Sequence, residues 1–167
     1  MSPEVWDDVR QRVAAVADPI GLRVVWPNED AAPPVGVANP QPKPFLDVEV
    51  AGQLMETLEI TAVIWQEDGV IYLHLMVPTG TGIRDGLVLR KQFSTAFRQV
   101  TDQPEGLIYR DQTFDPLGAS TDDGVFRALT LIIRYTYQDI TVTTQAAETA
   151  AVAFGMAATR RLGGVTA

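Results

Sequence analysis

Three consecutive segments of this chain, FLDVEVAG, METLEITAVIWQ and GVIYLHLMVP, alternate apolar with polar residues or are rich in β-branched ones. Period-two alternation places every second side chain on one face of a strand. Only short turns such as Glu67-Asp68-Gly69 lie between the segments, which predicts an antiparallel meander. In the last segment Ile71, Leu73, Leu75 and Val77 share one face and Tyr72, His74 and Met76 the other, and both faces are expected to be largely covered. GLIYRDQTF and VFRALTLIIRYTYQ read as two further strands, the second setting Phe126, Ala128, Thr130 and Ile132 against Val125, Arg127, Leu129 and Leu131.

Helices flank this sheet pattern. Val5, Val9, Val13 and Val16 recur at helical spacing between Pro3 and Ala17, behind Ser2 as an N-cap and Pro3 in the first turn. LRVVWP, just after, reads as a short strand. Residues Ile83 to Val100 carry Leu87, Leu89, Phe93, Ala96, Phe97 and Val100 near helical spacing. Gln145 to Arg161 is alanine-rich, with Glu148 early and Arg160 and Arg161 late, as the helix dipole prefers. The expected class is α+β: a mainly antiparallel sheet packed against two helices, with an alanine-rich C-terminal helix. A single domain over residues 1–144 is expected, with 145–167 a helical extension of it. Its few apolar anchors, Val152, Phe154, Met156 and Leu162, suit docking on a partner or fraying.

The segment PNEDAAPPVGVANPQPKP holds six prolines from Pro27 to Pro44. Proline fixes φ and removes a backbone donor, so this stretch reads as extended. A surface loop and an arm reaching a neighbouring molecule both fit it.

Composition removes several chemistries. There is no cysteine, so thiolate metal sites, disulfides and cysteine nucleophiles are excluded. A net charge of −8 argues against wrapping nucleic acid. From Pro44 to Ile83 there is no Lys or Arg, while Asp47, Glu49, Glu56, Glu59, Glu67 and Asp68 fall within that interval, which predicts an acidic face. Residues 1–13 are acidic where a signal peptide is basic, and AAVAFGMAA is far shorter than the ~20 apolar residues of a membrane-spanning helix, so export by a signal peptide and membrane insertion are not expected.

The loop GTGIRDG invites a phosphate-binding reading, because it follows an apolar strand and opens a helix. Gly80, Gly82 and Gly86 give G-x-G-x-x-x-G, whereas the dinucleotide fingerprint needs its third glycine at Asp85, and no lysine follows as in a P-loop. A structural strand-to-helix turn, capped by Thr81 or nearby backbone, is the better reading. His74 is the sole histidine, and its mid-strand place favours a packed or hydrogen-bonded side chain over a ligand or base. The aspartates Asp111, Asp115, Asp122 and Asp123 lack calcium-loop spacing. No serine lies in a G-x-S-x-G context. Trp6, Trp26 and Trp65 are flanked by apolar residues, as core tryptophans are, although a binding patch is also open to them. No catalytic, cofactor or metal site is expected.

The order of VVWPNEDAAPP, PFLDVEV and GVIYLHLMVPTGTGIRDGLVLRKQFSTAF resembles the tail-terminator, or tail-completion, proteins of long-tailed phages and phage-derived gene transfer agents. In that family a WPN or PN turn follows the first strand, a Pro-aromatic pair opens the next, and a P-x-G-x-G turn joins a central strand to the long helix. Trp26-Pro27-Asn28, Pro44-Phe45 and Pro78-Thr79-Gly80-Thr81-Gly82 stand at those places, and the likeness spans about Pro3 to Gln138. The resemblance implies a non-enzymatic structural protein at the head-proximal end of a tail, assembled in the bacterial cytoplasm. It forms a ring, typically a hexamer, that caps the tail tube, ends its growth and meets the head-completion protein while DNA passes through unbound. Trp26, Pro27, Asn28, Pro33, Pro34, Phe45, Thr79, Gly80, Thr81 and Gly82 then become candidate subunit-interface residues. Asp47, Glu49 and Glu59 become candidate lumen residues, a solvated outer face being the alternative for them. A small-ligand or protein-binding module, or an unrecognised enzyme, are the rival classes.

Overall fold

In a computed structural model the described residues are 1–29, 42–57, 64–99, 102–116 and 124–140. The expected Pro33, Pro34, Glu59, Asp122 and Asp123, and the alanine-rich C-terminal helix, lie outside them. Two helices pack on one face of a five-stranded mixed sheet. The elements are α1 (Pro3–Ala17), a short 3-10 turn (Asp18–Ile20), β1 (Arg23–Val25), β2 (Phe45–Thr57), β3 (Ile64–Pro78), α2 (Arg84–Ala96), β4 (Leu107–Phe114) and β5 (Phe126–Ile140). The strand order is β1-β2-β3-β5-β4, with β1 parallel to β2 and every other pair antiparallel. This is the α+β class that the patterning predicts.

The alternation of β3 divides as expected. Ile71, Leu73, Leu75 and Val77 are buried beneath the helices, together with Leu46 and Val48 of β2 and Leu129, Leu131, Ile133 and Tyr135 of β5. Val5, Val9 and Val13 of α1 are completely buried, so its four-residue spacing is its packing seam. On α2, Phe93 and the following Phe97 are buried, whereas Leu87 turns outward. The opposite sheet face is not covered among the described residues: Tyr72, His74, Met76 and Ile132 there are only half-buried.

That open face corrects the expectation that both faces are covered, and three further expectations of the fold need correction. The meander is two long strands rather than three shorter ones. Glu67-Asp68-Gly69 does not turn; it pairs within β3 against Gln53 to Met55 of β2 and Tyr135 to Tyr137 of β5. Glu67 and Gly69 stand at core-facing positions, where a carboxylate and a missing side chain imitate a turn in the sequence. The Tyr135 ring fills the space over Gly69. A register shift between Ala51 and Gln53 lets β2 continue through its own glycine. Next, Ser2 occupies the N-cap position of α1 with extended backbone but forms no side-chain cap, because its hydroxyl donates to Glu67 at 2.5 Å. Finally, Trp26 is buried and Trp6 half-buried, but Trp65 is 38% exposed.

The glycines of GTGIRDG serve the fold in two ways. Gly80 and Gly82 have φ of 87° and 82°, which L side chains rarely adopt. Gly86 lies where α2 presses on the sheet: a Cβ there would sit 2.7 Å from Leu129 Cδ1 and 2.7 Å from Val77 Cγ2. Glycine-to-alanine in a helix ordinarily gains up to ~1 kcal/mol. Here the overpacking term wins, and Gly86→Ala is expected to destabilise by about 1–3 kcal/mol in urea unfolding. A stabilised variant would show that the helix shifts freely on the sheet.

Candidate functional site

The P-x-G-x-G turn builds one wall of a surface groove. Thr79 donates its backbone N–H to Val125 O at 2.8 Å, tying the turn to the start of β5. Thr81 does not cap α2; its hydroxyl donates to Pro78 O at 2.8 Å and closes the turn, while Ile83 holds the N-cap position. The chain arriving from the proline-rich segment forms the other wall. Pro42 and Pro44 face Leu75, Val77, Pro78, Thr81, Gly82 and Leu89 across a groove of about 260 Å³. Asp85, fully exposed, contributes its only carboxylate. Two of the sequence-predicted motifs, far apart in the chain, therefore meet in one apolar, proline-lined depression. Proline and aliphatic side chains make up most of its lining, with no aromatic ring among them.

Phe45 turns away from this groove onto the open sheet face, where it meets Phe126 edge to face at 5.2 Å. The WPN turn lies elsewhere. Glu29 N donates to Trp26 O at 3.1 Å, Pro27 holds the second position and Asn28 the third with φ of 63°, the arrangement of a type II turn. Asparagine tolerates that conformation, which is the physical reason for the motif. Trp26 itself is 8% exposed, packed edge to face on Trp6 at 5.3 Å with the Arg10 guanidinium above it at 4.9 Å. Pro27 and Asn28 are thus the part of this motif that a neighbour can touch.

The acidic interval divides between the two faces of the sheet. Asp47 and Glu49 share the open face, as their spacing predicts, and Asp68 joins them there. Glu49 Oε2 lies 3.3 Å from His74 Nε2, His74 Nδ1 lies 2.9 Å from Thr130 Oγ1, and the ring stacks on Tyr72 at 5.9 Å, so the histidine is a hydrogen-bonded strand residue. Donation from Thr136, then from Gln66, holds the Asp68 carboxyl below its ordinary pKa. Arg110 and Arg134 also stand on this face, at the β4–β5 side, so it is acidic only toward β2.

Glu67 is on the buried side, 3% exposed. It accepts from Ser2 N at 2.8 Å, Ser2 Oγ at 2.5 Å and Tyr135 Oη at 2.5 Å, with the Met1 amino group 3.5 Å away. Burial alone would raise its pKa, but these donors and the nearby positive charge bring it below the ordinary value. The same burial, with the Glu67 carboxylate beside it, pushes the Tyr135 phenol up.

A second buried polar cluster went unread in the sequence. Arg12 donates to Asp8 at 2.7 Å and to the carbonyls of Ala96 and Gln99 at 2.7 and 2.8 Å, and Tyr109 donates to Asp8 at 2.6 Å. The i, i+4 spacing of Asp8 and Arg12 was the available signal, but such pairs are usually solvent-exposed. No cluster of three metal-ligating side chains occurs among the described residues, and no helix among them is long and apolar enough to cross a membrane. Comparison with known protein families and with curated proteins finds no match.

Proposed function

We propose that this chain is a tail terminator: a structural protein that closes into a ring on the end of a phage or gene-transfer-agent tail tube, stops tube growth and presents the surface to which the head-completion protein joins. The reading begins from the motif order described above. The observation that carries it furthest is the groove in which Pro42 and Pro44 meet Pro78, Thr81 and Gly82. Two motifs of the resemblance thereby form one accessible apolar surface, as a contact with an extended neighbouring segment requires. Each such contact joins two different surfaces, and heterologous contacts repeated about an axis close a ring.

The proline-rich segment is then the natural visitor to a neighbour's groove. Electron microscopy of purified tails carrying a tagged chain tests the assignment: the tag belongs at the head-proximal end, in one ring. A chain found only as a free monomer and absent from particles rejects it. Deleting residues 31–39 tests the arm. The variant is expected to keep the wild-type melting temperature, because the deletion spares every core residue named above, yet to lose most completed particles. Unchanged particle yield would make the segment an ordinary loop.

A further inference from the structure

The outer surface of α2 is basic in a chain that is acidic overall. Its buried side carries Gly86, Phe93 and, just beyond its end, Phe97. Diametrically opposite, at helical spacing, stand Arg84, Val88, Lys91 and Thr95, with Arg98 in the turn just beyond the helix end, all exposed. Val88 is 47% exposed and Leu87, beside it, 36%. Among the described residues the only carboxylate near Arg84 is the solvent-exposed Asp85, at 3.9 Å. Neither Lys91 nor Arg98 has a carboxylate partner among the described residues.

The complementary surface is on the other side of the molecule. Asp47 and Glu49 lie on the open sheet face next to the stacked pair Tyr72 and His74. Carboxylates flanking an aromatic face receive guanidinium and ammonium groups through ion pairing and cation–π attraction. Since α2 packs on the opposite face of the sheet, its outward stripe and this patch point away from each other. They cannot meet within one copy. Successive copies rotated about a common axis bring them together, helix of one on sheet of the next.

We infer that the α2 stripe of one copy, Arg84, Val88, Lys91 and Arg98, docks on the Asp47, Glu49 and Tyr72 patch of a second copy. This rests on the ring reading and supplies it with a repeating, head-to-tail contact. It also gives Asp47 and Glu49 a protein partner, in place of either the DNA-facing lumen or the solvated outer face open to them from the sequence. Each sheet would then be covered on both faces, by its own helices and by a neighbour's.

Charge reversal in the full chain tests it. Lys91→Glu with Arg98→Glu puts like charges at the contact, and so does Asp47→Lys with Glu49→Lys. Either pair is expected to raise the concentration needed for self-association by at least about tenfold, since facing like charges cost several kcal/mol. All four substitutions in one chain restore attraction, and association should return to near the wild-type concentration. Mixing the two paired variants should give alternating assemblies with an even number of copies, which keeps the test open if the fourfold variant does not fold. Native mass spectrometry reads this in solution, and copies per tail read it on particles, with melting temperature as the folding control. Three results overturn the contact while leaving the ring in place: paired variants that assemble normally, a sheet-side defect that helix reversal does not share, or lysine variants that form intact rings but retain DNA. A wild-type chain that stays monomeric and is absent from tails overturns the contact and the ring reading together.

Discussion

Arg12→Ala is expected to destabilise the protein by about 3–5 kcal/mol, the range for removing one partner of a buried ion pair. Arg12 is 9% exposed and its guanidinium donates to three acceptors at once. Its Nε holds Asp8, and one terminal nitrogen bridges the carbonyls of Ala96 and Gln99 at the end of α2, where backbone acceptors have no intrahelical donor. Truncation leaves Asp8 charged, 5% exposed and held only by the Tyr109 hydroxyl among these contacts. For a chain of this length the loss corresponds to a fall in melting temperature of roughly 6–20 °C. Arg12→Lys preserves the charge but not the planar fork and should recover only part of it. In the Asp8→Ala, Arg12→Ala double variant the effects should fall well short of additive, because no orphaned charge remains. A single-variant loss below about 1 kcal/mol would mean that water replaces the arginine without penalty.

Glu67→Ala should be comparably severe, at about 3–5 kcal/mol, since it leaves the Tyr135 hydroxyl and the Ser2 N–H and hydroxyl without their buried acceptor. Glu67→Gln keeps the volume and one carbonyl acceptor and should cost less. The same site predicts an acid dependence. Because the folded-state pKa lies below the ordinary 4.5, the unfolded chain binds the proton more readily. The stabilisation is therefore complete above that value and is lost as pH falls from about 4.5 through the lowered folded pKa. Chemical denaturation from pH 7 to pH 3 should show the wild type losing more stability than Glu67→Gln. Parallel curves would place the acid sensitivity elsewhere, with Asp68 the next carboxylate to test.

Much of the architecture was legible because it depends on local periodicity. The four-residue spacing of valines dictates α1, and the alternation from Ile71 to Val77 dictates which face of β3 meets the helices, whatever lies on the other side. The two glycines of the P-x-G-x-G turn mark a tight strand-to-helix connection in the sequence, and Gly80 and Gly82 take there the positive φ that L residues disfavour. What tertiary structure alone decided are the places where local and global preferences conflict. Glutamate and glycine at positions 67 and 69 read as a turn until Tyr135 and Ser2, brought in by long-range pairing, supply the donors and the ring that make a buried strand tolerable there. Pro44 and Gly82 share a groove, Arg12 crosses from one helix to the end of another, and the charges of α2 and β2 face opposite ways, all through contacts between residues distant in the chain. A sequence displays its periods directly, but a buried charge becomes stable only when a particular register delivers its partner, and that register is a property of the whole sheet.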